Sequence, residues 1–190
     1  MRIANLEIHN FRGIKSCNLD FPVESRVICL IGAGDSTKST ILKAIEWNLW
    51  PTWNLVACDN DFYNGDTNSP IIIRGTFTEI PDALLAEDKF GLYLRSNGTE
   101  LNPDVNDEPV DGAPLCITIE LTINASLEPK WTVVCNRKEP KPISNADRKL
   151  IQIGFVGDNC SKDMVWGRNS VLQKYANSKD TPSPTAKAPS

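Results

Sequence analysis

Ile28-Cys29-Leu30-Ile31-Gly32-Ala33-Gly34-Asp35-Ser36-Thr37-Lys38-Ser39-Thr40-Ile41-Leu42-Lys43-Ala44-Ile45-Glu46 divides into three parts with different physical demands. Arg26 to Ile31 is a short apolar run rich in Ile and Val, which predicts a buried strand, and Gly32 and Gly34 break it abruptly. Ile41, Leu42, Ile45 and Leu49 then recur at helical spacing, so the stretch from Lys38 to Trp50 reads as a helix with one face on a sheet. The first turn of such a helix points backbone N–H groups at an anion. Against the phosphate-loop pattern G-x-x-x-x-G-K-[ST], Gly32 is the first glycine, Lys38 the lysine and Ser39 the hydroxyl residue. Lys38 supplies an ammonium for β- and γ-phosphate oxygens and Ser39 a hydroxyl for Mg²⁺. Thr37 stands where the pattern has its second glycine, and a side chain there is expected to crowd the backbone approach to phosphate. Asp35 adds a carboxylate to a loop meant for an anion. An ordinary strand-to-helix turn with a lysine in its first turn would share some of these residues. The order strand, loop, helix favours the phosphate loop.

The 190 residues, 41% of them apolar, suffice for one domain with a real core. No apolar run approaches the roughly 20 residues of a membrane span, and Met1-Arg2 leads into an alternating strand pattern. Six cysteines (17, 29, 58, 116, 135 and 160) lack any C-x-x-C pair, and several sit in apolar strand patterns, which predicts reduced thiols, no zinc and a cytoplasmic location. The single histidine, His9, ends the first strand and reads as a structural surface residue. Net charge is −4 but uneven: residues 1–50 carry +1, residues 51–128 carry −11 and residues 129–190 carry +6. The basic final third has no Lys/Arg run and no interleaved aromatics, so a solvated face is favoured over a nucleic-acid surface.

Strands are predicted at residues 3–8, 17–21, 71–77, 91–95, 115–123, 131–135 and 151–156, with a short helix over 81–87 and a turn-rich insertion over 96–114. The later strands read as an antiparallel meander, with Asn136 to Pro142 as a connector. Trp47, Trp50 and Trp53 cluster about a helix end, where packing is a better account than a stacking platform. The acidic stretch Asp59-Asn60-Asp61 through Asp66 lacks the spacing of a calcium loop and reads as a polar loop. Val171, Leu172 and Tyr175 suggest a helix capped near Asn169 or Ser170, and residues 177–190 a disordered tail. The expected class is α/β with an α+β tendency: a lobe over 1–176 with a mixed sheet, one phosphate-loop helix and the meander.

Ile8-His9-Asn10-Phe11-Arg12-Gly13-Ile14 resembles the I-x-N-F-R-x-[FIL] opening of the ABC-type ATPases of the RecF, structural-maintenance-of-chromosomes (SMC) and overcoming-lysogenization-defect (OLD) group. Ile31 to Thr40 is similar to that group's G-x-N-G-x-G-K-[ST]-T loop, with Gly34, Asp35 and Thr37 as departures. The wording Asp35-Ser36-Thr37-Lys38-Ser39 is closest to OLD-like bacterial ATPases of the AAA family. The resemblance implies an N-terminal ATPase lobe that binds ATP and Mg²⁺ through Arg12, Gly32, Ala33, Gly34, Asp35, Ser36, Thr37, Lys38, Ser39 and Thr40, with Ser39 on the metal. It also implies a second ATPase lobe or a homodimer partner, DNA as a further partner, and a role in DNA repair or phage defence. After residue 40 no apolar run of four or more ends in Asp-Glu, and no L-S-G-G-like helix start is present. No catalytic residue is therefore assigned, and hydrolysis by the chain alone is expected at background rate. The competing reading is a non-enzymatic interaction module whose altered loop no longer takes nucleotide.

Overall fold

A computed structural model describes residues 1–22, 25, 27–34, 37–98, 105–151, 154 and 156. Residues Met1–Gln152 form one compact unit and Ile153–Ser190 a second. The predicted strand at 151–156, the helix near 169 and the tail lie wholly or mostly outside the described residues; Ile151 closes a helix instead.

Among the described residues seven strands build one sheet: β1 (Arg2–Phe11), β2 (Ile14–Asp20), β3 (Ile71–Thr78), β4 (Arg95–Ser96), β5 (Leu115–Ile123), β6 (Pro129–Cys135) and β7 (Lys138–Pro142). Their order is β2-β1-β3-β5-β6-β7, with β4 pairing β5, and every described pairing is antiparallel. The period-two patterns explain the two faces. Leu6 and Ile8 of β1, Ile71, Ile73 and Phe77 of β3, Ile117, Ile119 and Leu121 of β5, and Trp131 and Val133 of β6 are buried. Residues between them put Asn5, Glu7, Arg74, Thr76, Thr118 and Glu120 on the other face, where they line a polar concavity of about 640 Å³.

Helix α1 (Lys38–Asn48) lies across β1, β3 and β5. It buries Ile41, Ala44, Trp47 and Asn48, whereas Leu42, expected on the packed face, is exposed. The seating of its C-terminal end depends on two residues. Asn48, fully buried, donates Nδ2 hydrogen bonds to Ile73 O and Ile119 O at 2.9 Å each, so the helix is tied to the backbone of both central strands. Gly75 makes the approach feasible, since a Cβ there would sit 2.5 Å from the Phe77 ring and 2.7 Å from Asn48 Oδ1. The chain leaving α1 is held by Arg148 of α3 (Asn145–Leu150), whose Nη1 donates to Trp50 O and Thr52 O at 3.1 and 3.0 Å. Its guanidinium stacks 4.0 Å from the Trp131 ring, and burial lowers its pKa.

Four expectations are corrected. Residues 27–31 pair with no strand among the described residues, and Val27 and Ile31 are 74% and 94% exposed. An apolar run becomes a strand only where a neighbour completes its ladder, and the described sheet ends at β2 and β7 instead. Residues 91–93 form a 3-10 turn, so that only Arg95 and Ser96 are strand. Lys138 to Pro142, read as a connector, is the edge strand β7, with Pro140 and Pro142 tolerated because one side of an edge strand makes no ladder bonds. The predicted helix over 81–87 is the single turn α2 (Asp82–Leu85), with Pro81 just outside it. Among the described cysteines Cys116 and Cys135 are free and buried, and burial pushes the Cys116 thiol up to about 11, so it packs as an uncharged thiol at neutral pH.

Candidate nucleotide-binding site

The site begins at the N-terminus of α1. Lys38 Nζ donates to Gly32 O at 2.9 Å and to Ala33 O, so the loop wraps back over the lysine that follows it. Gly32, Ala33, Gly34 and Ser39 are exposed, and Thr40 is half-buried. The N-cap residue Thr37 makes no side-chain cap hydrogen bond and no acidic residue occupies the first turn of α1, so the positive end of the helix suits an anion. Asp35 and Ser36 lie outside the described residues.

Thr37 adopts φ 61°, in the left-handed region where a β-branched residue is strained, and this is the position at which the loop pattern has glycine. Its methyl is turned toward the β1–β2 hairpin: a Cβ built on Gly13 would meet Thr37 Cγ2 at 3.1 Å. The side chain expected to crowd the phosphate approach thus packs against the Arg12-Gly13 turn. That turn is a two-residue hairpin loop, with Phe11 paired to Ile14 and Arg12 at φ 48°.

Arg12 is the residue of the opening motif that the family resemblance assigns to the nucleotide. The fold holds it on three sides. Its backbone N–H donates to Asp61 O at 2.8 Å, and its Nε donates to Asp61 Oδ1 at 2.9 Å. Its guanidinium carbon lies 5.4 Å from the Phe11 ring centroid and 5.6 Å from that of Trp47. Phe11 and Trp47 are themselves in contact, with centroids 5.0 Å apart at 53°. Trp47 is buried at 3% exposure, so it braces the arginine and is closed to a base. Asp61, assigned in sequence to a polar loop, closes a 3-10 turn (Asp59–Asp61) and is 6% exposed. Its Oδ2 accepts from Cys58 N–H at 3.0 Å and from Cys58 Sγ at 3.3 Å. Asn10, at φ 54°, fastens the end of β1 through Nδ2 bonds to Asp66 O and Ser69 O at 3.2 and 2.5 Å.

The polar concavity on the sheet's far face contains none of these residues. Arg74 there is bracketed by its cross-strand neighbours, with Nε to Glu120 at 2.5 Å and Nη1 to Glu7 at 3.2 Å, and Glu7 also meets His9 at 2.7 Å. Burial works to raise the Glu7 pKa, but hydrogen bonds from His9 and Arg74 and the charge of Arg74 outweigh it and hold the carboxyl below its ordinary value. One guanidinium is thus shared between two carboxylates within the sheet. No group of three or more His, Cys, Asp or Glu side chains that could hold a metal occurs among the described residues.

Residues 1–187 match the profile of the AAA ATPase domain. The chain belongs to that ATPase domain family. Its fold also resembles a solved structure from work on the structural biochemistry of ATP-driven dimerization and DNA stimulated activation of SMC ATPases. The TM-score is 0.52 and the identity 13%, over 94% of this chain and 98% of that one. No curated protein matches the sequence. The chain is therefore a mixed α/β ATPase domain with the fold of a P-loop ATPase, in which one helix, α1, carries the loop.

The AAA ATPase domain family implies ATP with Mg²⁺, and the donor set at α1 suits that group: an ammonium, an exposed serine hydroxyl and the N-terminal end of a helix with no acidic residue in its first turn. Lys38 and the first turn of α1 would hold the phosphates and Ser39 the metal. The metal would neutralise phosphate charge; the chain's own part is to fold Gly32 and Ala33 around Lys38 and to set the Arg12-Gly13 turn against Thr37.

Proposed function

We propose that this domain binds Mg-ATP at Gly32–Thr40 with Arg12 as an additional phosphate contact, and that it works as one lobe of an OLD- or RecF-like ATPase in DNA repair or phage defence. The observation that carries the reading is the closure of Gly32 and Ala33 on Lys38 at the N-terminus of α1, with the Arg12-Gly13 turn packed against Thr37. The exposed apolar residues Val27 and Ile31, which pair with no strand among the described residues, support a second lobe or subunit that supplies neighbouring strands. DNA as a partner rests on the SMC likeness and on the resemblance of the opening motif.

The test is calorimetric titration with Mg-ATP of the wild type and of Lys38→Ala, with phosphate release followed in the same samples. Losing a charge-assisted contact of about 1.5–3 kcal/mol lowers affinity roughly ten- to hundred-fold. Turnover is expected to stay at background without the completing lobe. Equal binding by Lys38→Ala would overturn the assignment, and steady Lys38-dependent phosphate release would show a catalytic carboxylate within these residues. Failure of the wild type to bind at all would favour the interaction module.

A further inference from the structure

We infer that Asp61 is a positioning residue for nucleotide: from beneath the β1–β2 turn its carboxylate fixes the Arg12 guanidinium in the turn that packs on the phosphate loop. The inference rests on the reading of Gly32–Thr40 as that loop.

Three observations carry it. Asp61 is 6% exposed and both of its oxygens are engaged, Oδ1 by Arg12 Nε and Oδ2 by the Cys58 backbone N–H, so the carboxylate cannot swing away without breaking both bonds. It grips Arg12 twice, through its own carbonyl at 2.8 Å and its carboxylate at 2.9 Å, which fixes both the backbone of a positive-φ turn and the side chain it bears. The grip is on Nε alone. Among the described residues no carboxylate or carbonyl takes the terminal nitrogens, and the side chain is 38% exposed. An arginine held by Nε and by two ring faces, with its terminal nitrogens unengaged among the described residues, is prepared to receive a phosphate bidentately at a reduced entropic cost.

An ion pair that served only to hold the loop at 58–62 would act on stability and leave the nucleotide alone. A double-mutant cycle separates the two roles. Mg-ATP affinity of the full chain would be measured for wild type, Arg12→Ala, Asp61→Ala and Arg12→Ala/Asp61→Ala, with Asp61→Asn as the conservative variant and thermal unfolding to show that each is folded. Arg12→Ala is expected to weaken binding about ten-fold, as for one charge-assisted hydrogen bond. Asp61→Ala should weaken it several-fold in the wild-type background and not at all once Arg12 is gone, and Asp61→Asn, which keeps an acceptor for Nε, should restore part of the loss. If Asp61→Ala does not fold, Asp61→Asn carries the same cycle. An equal loss in both backgrounds, or no loss in the wild-type background, overturns the inference. Lys38-dependent binding that ignores Asp61 overturns this inference alone, whereas binding that ignores Lys38 removes the phosphate-loop reading and this inference with it.

Discussion

Thr37 holds a left-handed backbone that glycine would adopt freely, at a cost of about 1–2 kcal/mol for an L-residue. Glycine would recover that strain and give back about 0.5–1 kcal/mol of it in unfolded-chain entropy. It would also lose the methyl contact at Gly13. Thr37→Gly is therefore expected to leave stability level or raise it by up to about 1 kcal/mol, a rise of a few degrees in Tm for a chain this long. Scanning calorimetry decides it: a fall of several degrees would mean that the Thr37–Gly13 contact outweighs the strain. At this scale the candidate lysine and serine were legible from spacing alone. Asp61 was not, because its importance comes from a partner 49 positions away, and nothing local to Asp59-Asn60-Asp61 marks which of its two carboxylates is buried.

Among the elements, α1 illustrates how a correctly predicted helix acquires its orientation from elsewhere. Periodicity placed its span, yet it rests on Ile41, Ala44, Trp47 and Asn48, because the groove over Gly75 admits Asn48 to the backbone of β3 and β5. Gly75→Ala should destabilise by about 1–3 kcal/mol, since the new Cβ would lie inside contact distance of two buried side chains that have little room to move. The midpoint of urea unfolding measures this, and a variant as stable as wild type would show that Phe77 and Asn48 repack freely. The segment at 27–31 shows the opposite failure. Its composition suits a buried strand, and its burial depends on a ladder that no other described element provides.

For the whole molecule, paired carboxylates link stability to pH. At Asp147 burial works to raise the pKa, but hydrogen bonds from Ser144 and Lys89 and the Lys89 charge prevail and lower it; Glu7 is lowered in the same way by His9 and Arg74. A carboxylate with a depressed folded pKa contributes stability that is fully present above its unfolded pKa of about 4 and is lost as pH falls through the folded value. Urea midpoints should accordingly hold steady from neutrality to about pH 5 and decline below about pH 4. The Glu7→Gln/Asp147→Asn variant should begin lower and decline less. A wild-type midpoint that fell between neutrality and pH 5 would point to other titrating groups.

By itself the sequence determined the features governed by near neighbours: the alternation of β1, β3, β5 and β6, the span of α1, and the register of Gly32, Lys38 and Ser39 at its start. These are properties of side-chain period and of backbone freedom over a few residues. The tertiary structure alone decided that Lys138 to Pro142 is an edge strand, that Thr37 faces Gly13, and that Arg12 lies between Phe11, Trp47 and Asp61. Each depends on groups far apart in the chain that meet only once the sheet has closed around α1, and no local pattern specifies which distant donor meets which acceptor.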